Sequence, residues 1–163
     1  MTAKETKGRA TPASGSRWHS KGDVRTEKFL IECKTTEKDC YRLSAKTWEK
    51  IANEALRDGM KEPVMRIDLR TKFGDTVAFA VCDGLFLDGH PDVTYKGEQK
   101  SYLLKADCID AIVSVGLIKH RVSIMPWKEL LPVIQSASKE RGCICRSNQN
   151  RQKALKPAGF SSP

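Results

Sequence analysis

The stretch of sequence that decides the fold lies at residues 22–36, which read GDVRTEKFLIECKTT. Apolar residues fill 29–31, and the run continues as Glu32, Cys33 and Lys34. Such a run predicts a β-strand over 29–34. A tight turn at 26–28 joins this strand to a short extended segment before it. The stretch therefore predicts an antiparallel β-hairpin at the start of the ordered part of the chain.

The hairpin groups three charged side chains. Successive side chains of a strand point to opposite faces, so Leu30, Glu32 and Lys34 share one face. Antiparallel pairing across the turn brings Asp23 level with Glu32 or close to it. Two adjacent carboxylates repel each other unless a cation joins them, and paired oxygen ligands suit Mg²⁺. With a lysine beside them, they form a set typical of metal-assisted phosphodiester hydrolysis. The alternative is an ordinary charged strand face that carries a Glu–Lys or Asp–Lys pair.

The remaining elements follow from hydrophobic periodicity and turn residues. The sequence predicts a helix at 45–58 with Ser44 as N-cap, strands at 63–69, 76–82, 101–104 and 121–125, and a helix that begins at 126. The strand at 63–69 alternates and is predicted to be half-buried, whereas 76–82 is apolar enough to be a central strand. Residues 83–100 are predicted as turns and loop, and 105–115 fit either helix or strand. This order of elements indicates an α/β or α+β domain with a mixed central sheet.

The distribution of charge is the next signal. The chain has a formal charge of +9, and residues 1–22 carry five bases against one acid while 137–163 carry six against one. The middle of the chain is neutral. Basic ends on a neutral body favour a polyanionic partner such as nucleic acid, and the alternative is that they only keep the protein soluble. Their polar composition predicts a flexible basic arm and loop over 1–21 and a basic tail over 137–163, with one folded domain between them.

Composition excludes several classes of protein. The length of 163 residues allows one domain or two small ones, and a hydrophobic fraction of 39% is enough for a core. No apolar run approaches the roughly 20 residues of a membrane-spanning helix, and the first residues lack the apolar stretch of a signal peptide. The six cysteines are scattered without a C-x-x-C pair. We therefore expect reduced thiols in a cytoplasmic protein that has no membrane partner.

A longer stretch, residues 9–60, resembles a known group of nucleases. The hairpin is preceded by ASGSRWHSKGD at residues 13–23, a loop of small and basic residues. Loop, hairpin and helix together resemble the PD-(D/E)XK nuclease superfamily, and within it the archaeal-type Holliday junction resolvases and their phage relatives. Gly22 stands where the superfamily motif has proline. The resemblance implies a restriction-endonuclease-like fold, an α/β domain with a mixed central β-sheet flanked by helices, and makes 22–136 a nuclease domain.

The resemblance also implies catalytic roles. Asp23 and Glu32 would bind Mg²⁺, for which Mn²⁺ can substitute, and the main-chain carbonyl of Cys33 would be a further ligand. Lys34 would position the attacking water or stabilise the pentavalent phosphate. Related enzymes often add a glutamate from an N-terminal helix. The acid upstream of the hairpin is Glu5, in a segment that is short and polar for a helix, so the third acid stays open with Glu5 as its candidate.

DNA contacts and partners complete the expectations. The side chains expected to contact DNA are Ser14, Gly15, Ser16, Arg17, Lys21 and Thr35, and the alternative for the Ser–Gly segment is a plain linker. The resemblance implies an endonuclease that resolves branched DNA as a homodimer, without an organic cofactor, in the cytoplasm (the host's, if a phage encodes it). One alternative is a nuclease of the same superfamily that cuts flaps, forks or duplex DNA. Another is a structure-specific DNA-binding protein without catalysis.

Overall fold

The structure is a computed structural model, which describes residues 2–11, 23–84, 93–108 and 112–137. The α-helices of this part of the chain are α1 (Thr2–Glu5), α2 (Ala45–Arg57) and α3 (Trp127–Ala137). Its strands are β1 (Arg9–Ala10), β2 (Val24–Arg25), β3 (Phe29–Thr36), β4 (Cys40–Ser44), β5 (Glu62–Arg70), β6 (Thr76–Asp83), β7 (Thr94–Gln99), β8 (Ser101–Lys105), β9 (Val113–Leu117) and β10 (His120–Pro126). No helix among the described residues is long and apolar enough to cross a membrane.

Most of the strands form one large mixed sheet. Within the described residues its order is β1-β2-β3-β5-β6-β10-β9-β7, and β4 pairs with β8 in a separate two-stranded sheet. The pairs β3–β5 and β7–β9 are parallel, and the other pairs are antiparallel. The mixed central sheet that the order of elements predicts is therefore confirmed.

Helices cover both faces of this sheet. On one face α2 packs Trp48 against Met65 and Phe79, together with side chains of β4 and β8. On the other face α3 packs Leu130 against residues that alternate with these, such as Ala80, and α1 adds Ala3. The alternation along each central strand thus divides the core into two layers. The protein is a mixed α/β fold with a large sheet flanked by helices, as the sequence predicts.

The central helix forms where its caps predict. It spans Ala45–Arg57 against a predicted 45–58, and the Ser44 hydroxyl accepts a hydrogen bond from the amide of Thr47 at 3.2 Å. This bond satisfies one of the amides that the first turn of a helix leaves without a partner. Gly59 follows the helix at a φ of +85°, a conformation that favours glycine.

Two strands differ from their predictions, and the structure settles one segment that the sequence left open. The strand β5 is buried on both faces rather than half-buried, because β3 and β6 border it and helices cover both sides. The strand β7 lies in the segment 83–100 that was predicted as loop, and it forms by pairing with β9. The ambiguous segment 105–115 contains a 3₁₀ turn at Ala106–Cys108 and the start of β9.

The N-terminal segment also differs from its prediction. Residues 2–11, expected to be part of a flexible arm, instead form α1 and β1, and Arg9 pairs with Arg25 of β2. Gly8 permits this close approach, since a Cβ atom there would lie 2.6 Å from Cγ1 of Val24. The edge of the hairpin offers these residues main-chain partners that sequence periodicity does not reveal. The rest of the expected arm, 12–22, and residues 138–163 of the expected tail lie outside the described residues.

Candidate functional site

The site is built on the predicted hairpin, which the structure confirms. The strands β2 and β3 are antiparallel, with Val24 opposite Ile31. The turn between them is closed by the amide of Thr26, which donates to the carbonyl of Phe29 at 3.0 Å. In return the amide of Phe29 donates to the Thr26 hydroxyl at 2.9 Å. The Thr26 side chain thus adds a second hydrogen bond that closes the turn.

Two hydrogen bonds hold Asp23 alongside Glu32. The amide of Asp23 donates to the carbonyl of Ile31 at 2.9 Å. The amide of Cys33 donates to Oδ2 of Asp23 at 2.7 Å. Since Ile31 and Cys33 flank Glu32 in the strand, the two bonds place Asp23 beside it. The antiparallel pairing predicts this juxtaposition.

Lys34 completes the group through a direct ion pair. Its Nζ lies 2.6 Å from Oε1 of Glu32, and the side chains of Lys34 and Glu32 are 39% and 17% exposed. Both belong to the same face of β3, as the alternation predicts. Two carboxylates and one ammonium leave a net negative charge at a position that solvent reaches. A group with this net charge favours the binding of a cation.

The surroundings of Lys34 keep it protonated. Burial lowers the pKa of Lys34, but the hydrogen bond and the negative charge of Glu32 outweigh it, and Tyr41 and Asp23 act in the same direction as Glu32. The net result is a pKa above the ordinary value of 10.5. At neutral pH the site therefore presents an ammonium group between acidic neighbours.

Tyr41 is a neighbour of this group that sequence reasoning missed. It lies on β4, packs against the core on the α2 side, and interacts electrostatically with Lys34 and Glu32. Burial raises the pKa of the Tyr41 phenol, the charge of Lys34 opposes this, and Glu32 adds to it, so the phenol is neutral at physiological pH. No strand is predicted around residue 41 from the sequence, and nothing local to Tyr41 shows which side chains of β3 it will contact.

The site lies where one side of β3 emerges from the sheet. The strand β5 pairs with β3 along its whole length, from Phe29 to Thr36. On the opposite side β2 pairs only with Leu30 and Ile31, and the Asp23 carboxylate takes the next amide. Among the described strands, β2 alone borders this side of β3. Within the described residues, the Glu32–Lys34 segment therefore has no strand paired with it on this side.

The residues present fit a small divalent cation that keeps part of its hydration. Within the part of the chain that the structure describes, no three or more His, Cys, Asp and Glu side chains are grouped to hold a metal ion. Mg²⁺, however, is commonly bound by one or two carboxylates, with water and substrate phosphates as its other ligands. Asp23 and Glu32 offer that pair. The amide of Cys33 donates to Asp23, and the Cys33 side chain packs on the α3 side. The predicted metal ligand of this residue is its main-chain carbonyl.

The other predicted contacts do not join this group in the described structure. Thr35 is exposed and pairs in register with Asp68, so it faces away from Glu32 and Lys34. The remaining predicted DNA contacts lie outside the described residues: Ser14, Gly15, Ser16, Arg17 and Lys21.

Glu5 ends the short helix α1, where the sequence leaves a helix in doubt. Its Oε2 accepts a bond from Arg66 at 2.6 Å. Arg66 is level with Cys33 on β5, so it lies on the face of the sheet opposite Glu32 and Lys34. The structure therefore places the candidate third acid with Arg66 rather than with the Glu32–Lys34 pair.

Comparison with known proteins finds no matching family model, no matching curated protein and no matching solved structure.

Proposed function

We propose that the protein is a Mg²⁺-dependent endonuclease that resolves branched DNA, in particular four-way junctions, by phosphodiester hydrolysis. The observation that carries the proposal is the grouping of Asp23 with Glu32 and the contact of Lys34 with Glu32 at 2.6 Å. These three groups lie on one hairpin, and the side chains of Lys34 and Glu32 are partly exposed. A restriction-endonuclease-like fold is part of the same proposal.

Each residue of the group has a distinct task. Asp23 and Glu32 hold the metal ion, and the carbonyl of Cys33 is a further ligand. A carboxylate offers about four lone-pair sites, so the bond from the Cys33 amide does not exhaust Asp23. When bound, the ion neutralises phosphate charge and lowers the pKa of coordinated water. Lys34, held protonated by Glu32, donates to the negative charge that develops on the phosphate oxygens.

The substrate class rests on charge and on symmetry. The basic composition of residues 1–22 and 137–163 favours a polyanion. Branched DNA is favoured by the resemblance of residues 13–34 to junction-resolving nucleases. A four-way junction needs two incisions, and a homodimer with two-fold symmetry presents two such sites.

The proposal is tested with a panel of labelled DNA: a four-way junction, a flap, a fork and a linear duplex of equal length. Mg²⁺ or Mn²⁺ should support cleavage of the junction. Ca²⁺ should support binding without cleavage, because it is larger and activates water poorly, so that binding and cutting can be measured apart. In Ca²⁺ the junction should bind well ahead of the duplex, and sedimentation should show a dimer. An Asp23→Asn variant purified in the same way controls for a contaminating nuclease.

Two outcomes would redirect the proposal. Equal binding of junction and duplex, or full cleavage by a monomer, would leave a nuclease for flaps, forks or duplex DNA. The second candidate is a DNA-binding protein without catalysis. The Glu32–Lys34 ion pair is compatible with this candidate, because an ordinary charged strand face would contain the same pair. Tight junction binding without cleavage in any divalent metal would support this candidate.

A further inference from the structure

An ionic cluster around the buried side chain of Arg66 lies on the α3 side of the sheet, away from the candidate site. The Arg66 side chain is 9% exposed and donates to Glu5 at 2.6 Å and to Asp68 at 2.8 Å. Its guanidinium also lies over the ring of Trp127, 5.1 Å from the ring centroid. The side-chain amide of Gln135 donates to the main-chain carbonyl of Glu5 at 2.8 Å. Together these contacts fasten the end of α1 to β5 and α3.

The segment that follows Glu5 contacts the main chain of Asp23. Gly8 donates to the carbonyl of Ala3 at 3.0 Å, and its close packing on Val24 sets the position of β1. The strand β1 then pairs with β2. At its end the amide of Thr11 donates to the main-chain carbonyl of Asp23 at 2.9 Å. Asp23 is thus held by Thr11 on one side and by β3 on the other.

We propose that Glu5 and Arg66 are positioning residues, whose ion pair anchors residues 2–11 so that Thr11 holds the main chain of Asp23 beside Glu32. The role of Asp23 in catalysis rests on the proposed function, whereas the anchoring itself does not. In this arrangement Glu5 acts through β1 and is not a third metal ligand. Its carboxylate is committed to Arg66 on the opposite face of the sheet from Glu32.

The physical reason lies in the cost of separating partly desolvated charges. Removing Arg66 leaves the carboxylates of Glu5 and Asp68, whose side chains are 26% and 20% exposed, without their partner, which is destabilising. Replacing every charged member of such a cluster is often closer to neutral. A short helix of this kind has little stability of its own and depends on its tertiary contacts. Loss of the Arg66 contact should therefore release α1 and β1 before it affects the central strands.

Amide hydrogen exchange tests the anchoring without reference to activity. In Arg66→Met, the amide of Thr11 should exchange about tenfold faster or more, while the amide of Val81 in the central strand β6 stays protected. The triple variant Glu5→Leu/Arg66→Met/Asp68→Asn, which also removes the charge that Arg66→Met leaves without a partner on Asp68, should recover most of the protection. Arg70→Met is the matched control, because Arg70 pairs with Glu37 on the exposed surface and should leave Thr11 unchanged. Unchanged exchange of Thr11 in Arg66→Met would overturn the proposal.

Cleavage kinetics then separate a positioning role from metal binding. Glu5→Gln and Arg66→Met should lower kcat about tenfold with the KM for DNA and the Mg²⁺ requirement little changed, and the triple variant should regain most of the loss. If Glu5 is a ligand, Glu5→Gln will raise the Mg²⁺ requirement and the triple variant will stay inactive. That result would refute the positioning role. If the wild-type protein cuts no DNA, the proposed function fails, and the exchange data still decide the anchoring.

Discussion

The main-chain amide of Cys33 donates to Oδ2 of Asp23 at 2.7 Å, so the side chain of the residue before β2 continues the pairing of the hairpin beyond Val24 and Ile31. The carboxylate of Asp23 therefore has a structural part as well as its proposed catalytic one. This determines which substitution is informative. Asparagine keeps an acceptor oxygen for the Cys33 amide, whereas alanine would remove it and disturb the hairpin.

Asp23→Asn and Glu32→Gln should each abolish cleavage, because an amide oxygen is a much weaker ligand for Mg²⁺ than a carboxylate. The fold and the binding of junction DNA in Ca²⁺ should be largely intact. Cleavage rates, circular dichroism and gel-shift titrations check the three expectations. Glu49→Gln is the control, since Glu49 is an exposed acid of α2, and it should cut at the wild-type rate. Full cleavage by either site variant would refute the ligand assignment.

Lys34→Ala should lower turnover by about 100-fold to 1,000-fold, the scale seen when one preorganised group that stabilises the transition state is removed. The Mg²⁺ concentration needed for half-maximal rate should change much less, because the ammonium acts on the transition state rather than on the metal. Single-turnover kinetics at several Mg²⁺ concentrations measure both quantities. Lys50→Ala, an exposed lysine of α2, is the matched control. A loss confined to metal affinity would contradict the role given to Lys34.

The raised pKa of Lys34 predicts the alkaline behaviour of the protein. A group whose pKa is higher in the folded state adds stability that is present below its ordinary value of 10.5 and is lost only as pH rises through the higher folded value. Without divalent metal, the difference in free energy of unfolding between the wild type and Lys34→Ala should therefore change little between about pH 7 and pH 10. Denaturant unfolding of both proteins at several pH values measures this difference. A fall in the stability of the wild type relative to the variant within this range would contradict the prediction.

Cys82 should resist thiol reagents in the folded protein. Its side chain is fully buried on β6, and burial, with the charges of Asp83 and Glu62 adding to it, raises the pKa of the thiol to about 12. The thiolate is the reactive form, so iodoacetamide at pH 8 should modify exposed Cys108 well before Cys82. Peptide mapping by mass spectrometry identifies the modified residue. Equal labelling of both residues without denaturant would show that β6 opens readily.

Deletion of residues 140–163 should weaken DNA binding and flatten its dependence on salt. The segment contains five bases against one acid, and each lost phosphate contact lowers the slope of log K against log salt by about 0.9 on duplex DNA. Binding titrations in Ca²⁺ at several salt concentrations measure the slope. An unchanged slope would mean that the basic tail makes no contact with DNA.

Local pattern determined much of this protein. The β-hairpin, its turn at 26–28, the grouping of Asp23, Glu32 and Lys34, and the helix capped by Ser44 all follow from signals within a few residues of one another. Alternation sets the face of a strand residue, and a cap sets a helix end, whatever the rest of the chain does. These features were therefore predictable from the sequence alone.

Tertiary structure decided the features that depend on distant partners. The strand β7 forms because β9 offers an edge, and β5 is buried because strands and helices surround it on all sides. The segment 2–11 has little periodicity, yet it forms α1 and β1, with β1 paired to β2 and the Glu5 carboxylate bound by Arg66, 61 residues further along the chain. Tyr41 meets Lys34 only through the packing of β4 on the sheet. Contacts of this kind are set by the three-dimensional arrangement of the strands, on which local propensity has no bearing.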